Sequence, residues 1–189
     1  LAQSAAAGPY LDPDYLQLDT WIVVHPDNTA TFFVGKTDGG QGTGTAFRQM
    51  MCDELDIAYH KTSLLMGTTD ITPDQGGSGG YDAIERVGWP MRRVAAEARR
   101  VLLELASEQL DTAVDELVVS DGIVATRSDA SQSVTYAELL DGRRFDVMLS
   151  GENINETRGL ARVKPVNELR VVGQSIQRYD IPAKVDASD

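Results

Sequence analysis

The chain has 189 residues, enough for one sizeable domain with a buried core, and its composition is that of a globular protein without an apolar run long enough to span a membrane. A formal net charge of −12 argues against nucleic acid, whose phosphates would be repelled, and against docking to anionic lipid. A single cysteine, Cys52, excludes an internal disulfide, and neither His25 nor His60 has Cys or His at ligand spacing, so no metal site is predicted.

Residues 1–15 read as a flexible N-terminal segment. The small, uncharged start Leu1-Ala2-Gln3-Ser4-Ala5-Ala6-Ala7-Gly8 fits a remnant after a cleaved export signal or a plain flexible start. Trp21-Ile22-Val23-Val24 and Thr31-Phe32-Phe33-Val34 bracket His25-Pro26-Asp27-Asn28-Thr29. That is a hairpin by turn chemistry, because Pro presets φ while Asp and Asn tolerate a turn. The second strand delivers a glycine loop, from Gly35 through Gly39-Gly40-Gln41-Gly42 to Gly44-Thr45. A strand that runs through glycines into a helix offers outward backbone N–H groups and a favourable helix dipole to an anion. The spacing is neither G-x-G-x-x-G nor G-x-x-x-x-G-K-[ST], since Lys36 precedes the glycines. A helix over 46–55 follows, with Ala46, Phe47, Met50, Met51 and Leu55 on one face and Arg48, Asp53 and Glu54 off it. Cys52, inside it, reads as a small buried side chain and the two methionines as core.

Ser63-Leu64-Leu65-Met66 is a third strand, and a second glycine loop, with Gly76-Gly77-Ser78-Gly79-Gly80, precedes another helix. Asp82 and Glu85 have capping-box spacing, and Pro90 should kink or restart that helix. Beyond it, over 91–105, Val94, Ala95, Ala98, Val101, Leu102 and Leu105 form an apolar stripe. Arg92, Arg93, Arg99, Arg100 and Glu104 make a solvated face, with Arg100 and Glu104 at i,i+4. Strands around Leu117 and Ile123 flank an Asp121-Gly122 hairpin turn. Ser133-Val134-Thr135 is a strand fragment and Tyr136-Ala137-Glu138-Leu139-Leu140 a short helix closed by Asp141-Gly142. The polar stretch 150–168 reads as an exposed excursion, and the tail ends without a closing element. The fold class predicted is α+β, a mixed sheet with two main helices packed on one face. Residues 16–149 form the domain, and 150–189 an excursion and tail leading to a missing domain or partner chain, with the tail unpaired in isolation.

These motifs together resemble the N-terminal part of the molybdenum-binding large subunit of the xanthine dehydrogenase/aldehyde oxidase family, closest to its isoquinoline 1-oxidoreductase beta-subunit type. The matching residues are Leu18-Asp19-Thr20-Trp21 with His25-Pro26-Asp27, Gly40-Gln41-Gly42 with Thr45, and Asp53-Glu54-Leu55. Further along they are Thr72-Pro73-Asp74-Gln75-Gly76-Gly77, Ala95-Ala96-Glu97-Ala98 and Asp180-Ile181-Pro182-Ala183-Lys184-Val185. The resemblance runs through nearly all of the chain after about Asp14.

That resemblance implies a molybdopterin-binding-domain-like fold and part of a hydroxylase acting on an aldehyde or N-heterocycle. Its implied cofactor is molybdopterin cytosine dinucleotide with molybdenum, held in part by Gly40, Gln41, Gly42, Gly76, Gly77, Ser78 and Gly79. It further implies as partners the remainder of the subunit, an iron–sulfur subunit with 2Fe–2S clusters and, in the exported branch, a cytochrome, with a periplasmic location; the alternative location is cytoplasmic. The sequence departs from many relatives in having Asp38 where they have Glu, and Gly80-Tyr81-Asp82 where they have small hydroxyl residues. The family's catalytic glutamate lies far toward the C-terminus of the full subunit, and Gly151-Glu152 is not in that context, so no catalytic residue is assigned and the chain alone should not turn over substrate. The competing reading is a non-catalytic binding or assembly module of the same fold that has lost cofactor contact, for which Tyr81 is the motivating residue.

Overall fold

The structure, a computed structural model, describes residues 12–186. Most of the predicted N-terminal segment therefore lies outside the described residues. Strands β1 (Ile22–Val24) and β2 (Ala30–Val34) form the expected antiparallel hairpin. Its turn closes because the Asp27 carboxylate accepts from the Thr29 amide and hydroxyl (3.1 and 2.7 Å) and Asn28 takes a left-handed φ of 61°. Helix α1 (Thr43–Leu55) then carries the chain to β3 (Thr62–Met66), which pairs with β2 in parallel, Phe32 opposite Leu64. Parallel neighbours require such a crossover. In the order β1-β2-β3, β3 is an outer strand.

The second long helix begins with a π-helical turn, Ala83–Val87, and continues as α2 (Gly88–Leu110). The expected disruption by Pro90 takes this form, since a π turn shifts the bonding register just before a residue with no N–H to give. The predicted capping box is absent: Asp82 makes no cap bond, and its Oδ2 lies 3.7 Å from the Lys36 Nζ. The sequence does hold a capping box at Thr135 and Glu138, which starts α3 (Tyr136–Leu140). Before it, β4 (Leu117–Ser120), β5 (Ile123–Thr126) and β6 (Ser133–Thr135) form a second, antiparallel sheet around the Asp121-Gly122 turn. The strand fragment is thus a full member of a sheet.

The two helices lie on each other and on the side of the first sheet that buries Ala30, Phe32 and Val34, in one core with Trp21, Phe47, Met51, Leu102 and Tyr136. The α+β fold with both helices on one face is therefore observed. Tyr136 donates its buried hydroxyl to the Leu55 carbonyl at the end of α1 (2.7 Å), joining the second sheet's helix to the first unit. Tyr136→Phe is expected to cost about 1 kcal/mol in urea unfolding. An unchanged midpoint would show that this bond contributes nothing.

Asp53 and Glu54, read as lying off the apolar face of α1, are buried, and so is Glu97 of α2. Each accepts backbone amides from far along the chain: Glu54 from Lys164 and Glu97 from Leu160 and Ala161 in the polar stretch, and Asp53 from Arg170, Val171 and Val172 just after it. That stretch exposes many side chains but is fastened through its backbone, so it is not a loose excursion. The α2 arginines are likewise not simply solvated. Arg92 pairs with Glu54 (2.6 Å), Arg99 with Asp56, and Arg100 with Glu97 (2.7 Å) as well as with the expected Glu104. Nor is the tail unpaired: it forms α4 (Ile181–Asp186) and lays Arg178 and Tyr179 on the first glycine loop. Cys52 is buried, and burial pushes its thiol up to about 12, well outside the reactive range.

Candidate functional site

Both glycine loops leave the carboxyl ends of neighbouring parallel strands, β2 and β3, and so arrive at the same end of the sheet. In open α/β units ligands gather at that end. Their meeting is written in hydrogen bonds. The Gly35 amide donates to Gln75 Oε1 (2.8 Å), Lys36 Nζ to the Gly77 carbonyl (2.7 Å), and the Thr37 amide to Ser78 Oγ (2.9 Å). At Gly35 a Cβ would stand 1.6 Å from the Pro73 carbonyl oxygen, so only glycine lets the loops approach this closely. Lys36, 3 % exposed, is a cation enclosed between them.

The first loop is organised by Asp38. Its carboxylate accepts from the amides of Gly40 (2.9 Å), Gly42 (3.1 Å) and Gly44 (3.2 Å). Burial alone would raise the Asp38 carboxyl, but these amides, together with Arg178, outweigh it and hold the group below its ordinary range. The expectation that this loop offers its glycine amides to a phosphate needs correcting here, because a carboxylate of the chain already takes those of Gly40 and Gly42. Gln41 stands between them, exposed and without a hydrogen-bond partner among the described residues. Gly76, Gly77 and Gly79 lie along the second loop with nothing within 4 Å of where a Cβ would be. Among the described residues, no group of three or more His, Cys, Asp or Glu is placed to hold a metal.

The family described as "Molybdopterin cofactor-binding domain" matches residues 5–165. The chain belongs to that family. A nicotinate dehydrogenase subunit of Pseudomonas putida is 30 % identical over 168 residues, which are 89 % of this chain and 13 % of that protein. The isoquinoline 1-oxidoreductase beta-subunit of Brevundimonas diminuta is 26 % identical over 135 residues, 65 % of this chain and 16 % of that one. Among solved structures, quinoline 2-oxidoreductase from Pseudomonas putida 86 superposes with a TM-score of 0.54 at 22 % identity, over 62 % of this chain and 15 % of that one. The chain thus spans a small part of the relatives it matches, and the solved structure supports the fold.

A molybdopterin cofactor-binding domain should present donors and acceptors that the protein itself leaves unused. Four buried polar atoms around the two loops have no hydrogen-bond partner among the described residues: Thr43 Oγ1, Thr45 Oγ1, Gln75 Nε2 and Asp82 Oδ1. Buried polar atoms are ordinarily satisfied, so their clustering here fits a polar ligand or a further polypeptide at this end of the sheet. Sequence reasoning singled out the glycines, Gln41 and Ser78, named Asp38 only as a departure from relatives and Gln75 only within a matching motif, and passed over Thr43 and Arg178. A signal for Asp38 existed: an Asp followed by glycines at two, four and six residues is a pattern for a side chain folding back on amides. Arg178, which donates to the Gly40 carbonyl across 138 residues (2.7 Å), carried none.

Proposed function

We propose that this chain is part of the molybdenum-cofactor-binding subunit of an oxidoreductase that hydroxylates an aldehyde or N-heterocycle, and that it helps to hold the pterin and phosphates of the cofactor. The observation that carries the reading is at Gly77 and Gly79. Neither adopts a left-handed φ, and neither is crowded by any neighbour. Nothing among the described residues calls for glycine there, whereas a ligand lying against the backbone would. Gly40, Gly42 and Gly76 serve in this reading by shape, Gln41 by its free amide, and Ser78 by the hydroxyl proton that remains after it accepts from Thr37. Thr43, Thr45 and Gln75 add unused polar atoms, and Lys36 adds a charge between the loops.

The cofactor is proposed to be molybdopterin cytosine dinucleotide; when bound, its molybdenum supplies the insertion of a water-derived oxygen, with electrons leaving to 2Fe–2S clusters of a partner. The remaining parts of the site come from the rest of the subunit, and the assembly is proposed to be periplasmic with a cytochrome acceptor. Among the described residues no helix is long and apolar enough to cross a membrane. The non-catalytic reading draws on the amides of the first loop being taken by Asp38 and on Tyr81, which is 82 % exposed beside the second loop. Molybdenum and cytosine contents of the purified assembly separate the two readings.

Gln41→Ala tests the assignment at one side chain. Because Gln41 bonds nothing among the described residues, the variant should change stability by less than about 0.5 kcal/mol. Molybdenum and cytosine contents of the complete assembly should fall. Full occupancy in Gln41→Ala would remove this residue from the site.

A further inference from the structure

The two peptide planes that flank Gln41 are each fixed, and by different residues. The Gly40–Gln41 plane is held through its carbonyl, which accepts from Arg178 Nη1 (2.7 Å); the Gln41–Gly42 plane is held through its N–H, which donates to Asp38 Oδ1 (3.1 Å). A peptide group is rigid, so fixing the planes on both sides sets φ and ψ of the residue between them and with these the direction of its Cβ. This matters because Gly40 and Gly42, with φ of 105° and 82°, would otherwise let Gln41 swing widely.

The outer half of this hold comes from the tail. Arg178 is itself braced by Asp180, through Nε (3.0 Å) and Nη2 (2.6 Å), and Asp180 also accepts from Lys184 Nζ in α4 (2.7 Å). The tail occupies the space that side chains on the loop would need. Arg178 atoms lie 3.3–3.4 Å from where a Cβ of Gly42 would be, and the Tyr179 hydroxyl 2.6 Å from that of Gly44. Glycine at position 44 therefore makes room for the tail and for Met66.

We propose that Arg178 and Asp38 are positioning residues for Gln41, a two-sided clamp that presents its amide to the cofactor and links cofactor retention to the seating of the tail. This rests on the reading that Gln41 meets the cofactor. Neither Arg178 nor Asp38 needs to touch the ligand. Their contribution is to remove in advance the backbone freedom that binding would otherwise have to remove, the general basis of preorganisation.

The test uses the complete assembly, with Arg178→Ala, Arg178→Lys and Asp180→Asn. Freeing one residue's backbone should speed cofactor loss on the order of tenfold, followed as molybdenum retained during dialysis. In the cofactor-free assembly, amide exchange at Gly42 and Gly44 should accelerate by a similar factor in Arg178→Ala, while exchange in the core turns of α1 stays at the wild-type rate. Arg178→Lys keeps the charge and should recover part of the protection. Asp180→Asn, which loosens Arg178 without altering the loop, should fall between wild type and Arg178→Ala. Wild-type exchange at Gly42 and Gly44 in Arg178→Ala would overturn the clamp, as would faster exchange there with unchanged molybdenum retention. Absence of molybdenum from the wild-type assembly would instead refute the cofactor reading, and the exchange measurement would still decide whether the clamp exists.

Discussion

Glu97→Ala is expected to destabilise the protein by about 3 kcal/mol, read from urea unfolding at neutral pH, because it removes the buried acceptor of two backbone amides and one of the two carboxylates that pair with Arg100. Glu97 is 2 % exposed, accepts from Arg100 Nε and Nη2 (3.0 and 2.7 Å) with one oxygen, and from the Leu160 and Ala161 amides (both 2.8 Å) with the other. The substitution would leave the Leu160 and Ala161 amides without their acceptor, leave Arg100 with Glu104 alone, and release the chain around Gly159, where a Cβ would stand 2.1 Å from the Glu97 carboxyl carbon. A loss under about 1 kcal/mol would mean that water replaces the carboxylate at no great cost.

The same residue gives a pH dependence. Burial would raise the Glu97 carboxyl, but the Arg100 bonds and the two amides outweigh it, so it titrates below 4.5, the value ordinary for a glutamate. A group lowered on folding contributes stability that is fully present above its unfolded value and is lost as pH falls through the folded one. The wild type should therefore weaken on acidification below about pH 4.5, and Glu97→Gln should flatten that part of the curve. Asp38 acts in the same sense. Glu54 acts oppositely: burial raises it despite Lys164 and Arg92, so its contribution is present at low pH and is lost as pH rises through its folded value.

Gly35→Ala should be the most damaging change at the loops. The added methyl would meet the Pro73 carbonyl at 1.6 Å and the Gln75 amide nitrogen at 2.8 Å, backbone atoms that cannot rotate away. A loss of about 3 kcal/mol or more is expected in thermal or urea unfolding, because the two loops must separate. Gly77→Ala is the control. Its methyl enters open space, so stability should change by less than about 0.5 kcal/mol while cofactor content falls. Equal stability for the two variants would show that the loops do not meet as described.

Much of the fold was legible in the sequence because its signals are local. Pro26-Asp27-Asn28 and Asp121-Gly122 name their turns, and the spacing from Val94 to Leu105 names a helix face. The buried acids were not legible. Glu54 and Glu97 sit on helices just as solvated glutamates do, and what buries them is a set of amides 63 to 110 residues further along that nothing local marks. Asp82 shows the limit of a motif: the spacing of a capping box is present, yet Lys36, from the strand end, lies beside its carboxylate. At the site, glycine spacing announced two loops that could bind something. That they interlock, and that Asp38 consumes the amides of one, depends on β2 and β3 lying side by side, which is a property of the sheet and not of either loop.

That sheet has a further consequence at its margin. The side of β3 away from β2 pairs with no strand among the described residues, and Leu65 of β3 is 41 % exposed. An outer strand that carries apolar side chains is a template for another strand. Pairing at such a margin would extend the first sheet without any change in its own three strands. The same margin, left bare, would be where copies of the chain adhere to one another.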